Sequence, residues 1–367
     1  MNRKRKVIFI GKYKTSGNIY SIQNVSSEIF NIHSSKENSD YICYFDDGKK
    51  YSIIQKFFGN QIEYKTTNGN ILRVGVLFFI KYLFENRSSI IHIISFEKLG
   101  VIAVILKKIL NLRVVYTIHG IDEIEENYFL PERITYKIKH HFSKYLLQKY
   151  SDTIVVPSNL YKRLVILNLK IPEKKITIIP NGISKCFFRG DNENKIIKNI
   201  KLLSVANPKW KTKGYDFLLN IIKNLDINCE YNVICSNFED INNLNQFKIN
   251  YYNRMPQEKF SEFLVKMNVV LITSKVESFS MLAIEAMSLG RVCIITDTCG
   301  ATDYIINKKN GYVVKYSDTE LVLSIINELY HNPELLGNIS SEARKIYNLL
   351  NWETVYNNYY AKLYSKV

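Results

Sequence analysis

Short apolar runs recur along the first half of the chain, separated by longer stretches in which apolar residues follow helical spacing. β-branched residues dominate these runs, so they predict buried strands. Buried strands that alternate with helices are typical of parallel β-α-β units. The predicted strands of this half are Val7 to Ile10, Tyr41 to Phe45, Ile90 to Ser95, Val114 to Ile118 and Thr153 to Pro157.

The second half repeats this scheme, with strands predicted at Lys201 to Ala206, Tyr231 to Cys235, Val269 to Thr273, Val292 to Thr296 and Gly311 to Lys315. The whole pattern predicts an α/β protein with two doubly wound, Rossmann-like domains. A length of 367 residues is sufficient for two separate cores. Each domain is expected to carry its ligand loops at the carboxyl ends of its strands.

We predict an N-terminal domain over 1–186 and a linker over 187–200, where the polar run FFRGDNENKIIKNI lies. A second domain is predicted over 201–350, and an aromatic-rich helix over 351–367 that packs back on the first domain. The first apolar run, VIFIG, is too short for a transmembrane helix and makes a poor signal peptide. The six dispersed cysteines indicate reduced thiols, so we expect a cytoplasmic protein.

The net charge of +16 is concentrated in the first half. Residues 1–190 carry 30 Lys and Arg against 15 Asp and Glu, an excess of +15, whereas residues 191–367 carry 20 against 19. Part of the excess lies on a helical pattern with interleaved apolar residues at 133–149. This stretch is either a solvated helix or one that contacts an anionic membrane surface. Nucleic acid is not an expected partner, because no nucleic-acid-binding motif accompanies the charge.

Two glutamates flank the start of a predicted helix in the segment SKVESFSMLAIEAMSLG, which begins at Ser274. Ser280 is a predicted N-cap for a helix over Met281 to Leu289, and Gly290 suits the left-handed residue that ends it. The start of such a helix presents free N–H groups and a positive dipole end to a diphosphate. Glu277 and Glu285 would then face opposite ends of that ligand.

Four further loops at strand ends are candidate ligand loops. The loop Gly11 to Asn18 contains Gly17, where backbone can approach a phosphate closely. His119 follows an apolar strand, and Lys213 precedes a glycine that opens a helix, so its ammonium group can neutralise a leaving diphosphate. The fourth loop, Gly300 to Ile305 with Asn310 and Gly311 after it, fits a ligand loop and an ordinary connection about equally.

In this order, these stretches resemble the retaining glycosyltransferases of family 4, which have the GT-B fold. The resemblance rests on Lys213-Gly214, on Glu277 to Glu285 with Gly290, on Asn310-Gly311, on His119-Gly120, and on the runs IVVPSNLYKR and IIPNGI. It implies transfer of a sugar from a nucleotide-sugar donor, with a UDP-sugar expected, and requires neither a cofactor nor a metal. The implied acceptor is a saccharide, or one linked to polyprenyl diphosphate, in the synthesis of a surface polysaccharide at the inner face of the membrane.

The resemblance also implies roles for individual residues. Glu285 would bind the ribose, and Lys213 would bind the diphosphate. Glu277 and His119 would contact the transferred sugar, and with Lys213 they form the implied catalytic set. The other implied donor-binding residues are Gly17, Asn207, Lys209, Arg254, Met255, Phe279, Ser280, Met281 and Leu282.

Two positions depart from the family pattern. Asn207 stands where many members carry an arginine, so we expect Lys209 or Lys211 to supply that charge. Ser278 and Ser280 stand where glycines are usual. An alternative hypothesis is a catalytically silent binding or assembly subunit with the same fold. The presence of Glu277, Glu285, Lys213 and His119 together argues against it.

Overall fold

The computed structural model describes residues 5–13, 21–44, 52–66, 68–95, 98–120, 144–189, 200–206, 211–235 and 249–367. Eight strands in the first half of the chain, among the described residues, form a sheet of order β3-β4-β2-β1-β5-β6-β7-β8. The strands are β1 (Val7–Ile10), β2 (Ser39–Tyr44), β3 (Asn60–Thr66), β4 (Gly69–Val74), β5 (Ile90–Ile93), β6 (Arg113–Thr117), β7 (Thr153–Val156) and β8 (Ile176–Ile178). The helices are α1 (Ser21–Lys36), α2 (Ile53–Phe58), α3 (Val76–Glu85), α4 (Lys98–Leu106) and α5 (Asn159–Leu169), and residues 144–150 are also helical.

The second half forms a parallel sheet of order β11-β10-β9-β12-β13-β14 among the described residues. Its strands are β9 (Lys201–Ala206), β10 (Glu230–Cys235), β11 (Ile249–Tyr252), β12 (Val269–Ile272), β13 (Val292–Thr296) and β14 (Tyr312–Val314). The helices are α6 (Tyr215–Lys223), α7 (Gln257–Leu264), α8 (Met281–Ser288), α9 (Thr319–His331), α10 (Pro333–Arg344) and α11 (Ile346–Leu350), followed by α12 (Trp352–Val355), a π-helical turn (Tyr356–Tyr360) and α13 (Ala361–Lys366).

The prediction of a doubly wound α/β protein is confirmed. All ten predicted strands are present, and those at Val7–Ile10, Lys201–Ala206 and Val292–Thr296 have the predicted ends. Both sheets change strand order beside their first strand, β1 or β9, which is the usual place for a ligand cleft. The sequence pattern missed β3, β4, β8 and β11. Of these, β3 runs antiparallel to β4 at the sheet edge, where it is mostly exposed and therefore lacks a continuous apolar run.

The last helices of the chain pack against the N-terminal sheet. Tyr356 lies 2.6 Å from His33 Nδ1 on α1, and Tyr364 lies 2.6 Å from His92 Nδ1 on β5, both measured from the tyrosine oxygen. Trp352, at the start of α12, packs directly on Gly182. A Cβ at position 182 would lie 2.3 Å from the Trp352 ring. One apolar core therefore contains residues of both halves, although the exact limits of the predicted domains stay a prediction.

None of the helices in the described ranges is long and apolar enough to cross a bilayer.

Candidate functional site

The loop before α8 is held by backbone contacts at the carboxyl edge of the second sheet. The N–H of Glu277 donates to Thr298 O at 3.1 Å, and Gly300 N–H donates to Glu277 O at 3.0 Å. These bonds tie the loop to the segment after β13. The backbone position of Glu277 is therefore fixed. A fixed backbone is what a binding loop needs if it is to hold a ligand without reorganising.

Gly214 brings Lys213 to the same place. Its φ of +63° is in the left-handed region, and a Cβ here would lie 1.7 Å from Thr273 O at the end of β12. Only glycine fits both constraints. The predicted Lys-Gly pair therefore has a structural reason: the glycine lets the β9–α6 loop pass directly over the end of β12.

Lys213 and Glu277 form an ion pair. Their Nζ and Oε1 atoms are 3.0 Å apart, with side chains 28% and 19% exposed. Ser274 Oγ donates to the other oxygen, Glu277 Oε2, at 2.9 Å. The structure thus joins two residues that the sequence predicted separately, and it places a cation and a carboxylate, both partly accessible, immediately before the start of α8.

Ser280 occupies the N-cap position of α8 as predicted, but its side chain does not cap the helix. Its φ of +81° and ψ of +84° turn the backbone away from the extended conformation of a normal cap, and it makes no side-chain cap hydrogen bond. The hydroxyl is buried and has no hydrogen-bond partner among the described residues. The predicted N-cap position is therefore confirmed, but the side-chain capping bond expected there is absent. Gly290, with φ of +74°, takes the predicted left-handed conformation at the other end.

Glu285 lies one turn into α8 and does not share the Lys213–Glu277 ion pair. Burial raises the pKa of its carboxyl group to about 8, and a hydrogen bond with Gln257 at the start of α7 opposes this shift. The group is therefore mostly protonated at neutral pH. A buried carboxylic acid can both donate and accept a hydrogen bond, which suits the hydroxyl groups of a sugar such as ribose.

His119 lies just beyond β6 of the other sheet. Burial lowers the pKa of its imidazole to about 4, against the opposing effect of a hydrogen bond to the backbone of Ile94. Its Nε2 atom is buried without a partner in the described part of the chain. Because the other nitrogen of the neutral ring donates to the backbone of Ile94, Nε2 can accept a hydrogen bond from a hydroxyl group of a ligand.

The remaining predicted donor-binding residues are placed less closely together. Phe279 is buried against Tyr304, and Met281 and Leu282 are partly buried on the core around α8. Arg254 and Met255 follow β11, the arginine being exposed. Gly17, Asn207 and Lys209 lie outside the described residues, as does 133–143, most of the basic stretch.

The two halves also meet directly at this site, through Ser158 and Asn159, which were not predicted as site residues, and through Asp303 of the fourth candidate loop. Ser158, the N-cap of α5, donates from its Oγ to Ser278 O at 2.8 Å. The next N–H, of Asn159, donates to Asp303 Oδ2 at 2.7 Å. The signal in the sequence was a serine between a strand and a helix, but only the tertiary structure shows that the other sheet supplies its partners.

The fold agrees with comparisons to known proteins. Two solved structures are similar over nearly their whole length. HepE from Anabaena, in complex with UDP, has a TM-score of 0.73 at 14% identity, covering 99% of this chain and 100% of that one. WaaG, a glycosyltransferase of lipopolysaccharide biosynthesis, has a TM-score of 0.63 at 13% identity, covering 96% and 98%. The architecture is therefore that of a GT-B glycosyltransferase.

Family profiles and relatives specify the class further. The profile described as "Glycosyltransferase Family 4" matches residues 61–185, and "Glycosyl transferases group 1" matches residues 191–346. Both profiles describe glycosyltransferases, and together they cover about three quarters of the chain, so the protein is a glycosyltransferase.

Among its relatives is a 41.2 kDa protein of the cps region of Klebsiella pneumoniae, 26% identical, with 83% of this chain and 86% of the relative covered. The capsular polysaccharide biosynthesis glycosyltransferase CapM of Staphylococcus aureus is 24% identical, with 84% and 85% covered. A third, from Escherichia coli, is named UDP-Gal:alpha-D-GlcNAc-diphosphoundecaprenol alpha-1,3-galactosyltransferase and is 25% identical, with 74% of each chain covered.

Proposed function

We propose that the protein transfers a sugar from a UDP-sugar to a lipid-linked saccharide during assembly of a capsule or similar surface polysaccharide. The reaction retains the anomeric configuration and needs no metal ion. The observation that carries the proposal is the Lys213–Glu277 ion pair, which stands directly before the start of α8. This arrangement offers a cation and helix N–H groups to a diphosphate, and a carboxylate to the sugar attached to it.

The donor would span the two glutamates. Its ribose would bind Glu285, whose protonated carboxyl group is already buried beside Gln257. Its diphosphate would attract the Lys213 ammonium away from Glu277, which leaves that carboxylate free to accept hydrogen bonds from the transferred sugar. The uridine would lie toward Arg254 and Met255, beyond the end of β11.

Catalysis in this arrangement is mainly electrostatic. As the bond to the sugar breaks, negative charge grows on the diphosphate next to Lys213, and positive charge grows on the sugar next to Glu277. The neutral His119 would hold a hydroxyl of the sugar from the other sheet. The departing diphosphate would accept the proton of the acceptor hydroxyl on the same face of the sugar, which gives retention.

Relatives support the choice of substrates. One relative's name specifies UDP-Gal and a diphosphoundecaprenol-linked acceptor, another's specifies capsular polysaccharide biosynthesis, and the HepE structures contain UDP and UDP-glucose. An undecaprenol acceptor resides in a bilayer. The protein would therefore work as a peripheral protein at the cytoplasmic face of an anionic membrane.

Thermal stabilisation by nucleotide sugars tests the donor. A matching donor at about 100 times its dissociation constant should add roughly 2.7 kcal/mol to the free energy of unfolding. Among UDP-, GDP- and ADP-sugars, we expect stabilisation by a UDP-sugar. The variant Glu285→Ala should lose this response, and a response confined to GDP- or ADP-sugars would contradict the proposed donor.

Transfer is tested with Glu277→Ala, using a diphosphoundecaprenol-linked saccharide as acceptor. Transfer should fall at least about a hundredfold while the variant still folds, because the carboxylate acts mainly in the transition state. Activity should survive EDTA, and the product should keep the donor's anomeric configuration by NMR. A well-folded wild-type protein that binds donor without transferring it to any acceptor would instead indicate a silent binding subunit.

A further inference from the structure

All four large apolar residues of helix α2 are exposed. Ile53, Ile54, Phe57 and Phe58 are 77%, 72%, 47% and 64% exposed, and none of the residues of this helix is buried. The helix is nevertheless well defined at its start, where Ser52 and Gln55 form a reciprocal capping box. A capped helix whose apolar residues do not contribute to the core of its own protein indicates a contact with something else.

The position of α2 relates it to the ligand cleft. The strand that follows it begins at Asn60, which pairs with Val74 at the carboxyl end of β4. Gly75 N–H donates to Gly59 O at 2.8 Å, and a Cβ on Gly75 would meet the backbone of Phe57 at 2.6 Å. Because the carboxyl ends of the strands border the cleft in this fold, α2 lies along the outer edge of the cleft.

Two neighbouring elements extend this surface. Ile62 on β3 is 52% exposed and lies opposite Leu72, on the face of the sheet that carries α3. Leu77 in the first turn of α3 is 45% exposed. We call Ile53, Ile54, Phe57, Phe58, Ile62 and Leu77 the apolar rim.

The segment that carries the apolar rim is basic. Residues 52–87 contain five Lys and Arg and two Glu, a balance of +3. Both glutamates lie near cations: Glu63 is 2.7 Å from Arg73, and Glu85 is 3.8 Å from Lys81. Lys56 lies on α2 itself, next to Phe57. An exposed apolar helix on a segment of net positive charge matches the interface of an anionic bilayer, in which acyl chains lie beneath negatively charged headgroups.

We propose that the apolar rim docks the protein on an anionic membrane surface, with its side chains in the boundary between headgroups and acyl chains. The proposal rests on the proposed function in one respect, because docking there would let a lipid-linked acceptor enter the cleft directly from the bilayer. A second copy of the chain fits this surface less well. A two-fold contact would place the same basic residues against each other.

Co-sedimentation of the full chain with lipid vesicles tests the docking. We expect binding to phosphatidylcholine vesicles that contain roughly one third phosphatidylglycerol, weakened by salt, and weak binding to phosphatidylcholine alone. The double variant Ile54→Ser with Phe58→Ser should reduce binding at least about tenfold. The matched control is Leu167→Ser with Leu349→Ser, which removes side chains that are 73% and 61% exposed on other surfaces. It should bind like the wild type.

Melting temperature and donor-induced stabilisation are measured on the same variants. Because the rim residues are exposed, both quantities should match the wild type, so a loss of vesicle binding reports on the surface alone. Equal binding by the rim variant and the control would overturn the docking proposal, whatever donor the protein uses. A wild type that is dimeric by light scattering and becomes monomeric in the rim variant would overturn it in favour of a second copy.

Discussion

Ser280 carries unusual backbone geometry for its residue type. With φ of +81° it stands in a conformation that glycine adopts readily and serine does not, and its buried hydroxyl has no partner among the described residues. Such strain costs of order 1–3 kcal/mol and tends to persist at functional sites. The hydroxyl lies at the head of α8, where the proposed diphosphate would bind, so a bound donor would satisfy it.

We therefore expect the free energy of unfolding in the absence of donor to be about 1 kcal/mol higher for Ser280→Gly than for Ser280→Ala, because both changes remove the unpaired hydroxyl but only glycine relieves the strained backbone. Both variants should bind the donor less tightly, since both lack the hydroxyl. Urea unfolding and donor titration measure the two effects. Unchanged donor affinity in both variants would remove the hydroxyl from the binding site.

At the scale of elements, the start of α5 connects the two halves of the molecule. Ser158 Oγ accepts from Tyr161 N–H at 3.1 Å as the cap of the helix, and it also donates to the carbonyl of Ser278 in the loop of Glu277. Asp303, in the turn after β13, accepts from the N–H of Asn159, so its carboxylate interacts favourably with the helix dipole. A single helix start thus helps to hold the donor loop in place.

The variant Ser158→Ala should lower the free energy of unfolding by about 1–2 kcal/mol and raise the KM for the donor several-fold, because the loop carbonyl loses its donor. Asp318→Ala is a matched control, since Asp318 caps α9 through Leu321 N–H at 3.2 Å. It should lower stability by a similar amount with the KM unchanged. Urea unfolding and steady-state kinetics separate the outcomes, and equal KM values in the two variants would contradict the link.

At the scale of the whole molecule, the C-terminal helices hold the N-terminal sheet through buried histidines. His92 lies between Tyr364 and Thr117, at 2.6 and 2.8 Å from its two ring nitrogens. Burial lowers its pKa to about 3, with His119 and His33 acting in the same direction. Since the ordinary pKa is 6.5, the unfolded chain takes up this proton well before the folded protein does.

The neutral His92 contributes stability above pH 6.5, and this contribution is lost as the pH falls from 6.5 towards 3. Between pH 7.5 and 5 the loss should be about 2 kcal/mol. His92→Gln should show a correspondingly smaller decrease over this interval, whatever its absolute stability. Urea unfolding at both pH values measures this, and an identical decrease in wild type and variant would contradict it.

The sequence alone predicted ten of the fourteen strands in the described residues, and it drew attention to the residues of the candidate site. Buried parallel strands have continuous apolar runs in their sequence. Gly214 and Gly290 stand where backbone geometry or close packing requires glycine. The apolar runs can be recognised from neighbouring residues in the chain, whereas the contacts that exclude a side chain at Gly214 and Gly290 come from distant residues. The edge strand β3 was missed because a half-exposed strand has no continuous apolar run.

Only the tertiary structure decided how distant segments meet. The Lys213–Glu277 ion pair joins residues 64 positions apart, and Ser158 reaches Ser278 across 120 positions. It also shows that the Ser280 side chain does not cap α8 and that the apolar residues of α2 lie outside the core. An apolar pattern predicts a buried face but does not specify what buries it. For α2 we propose that the missing surface is a membrane.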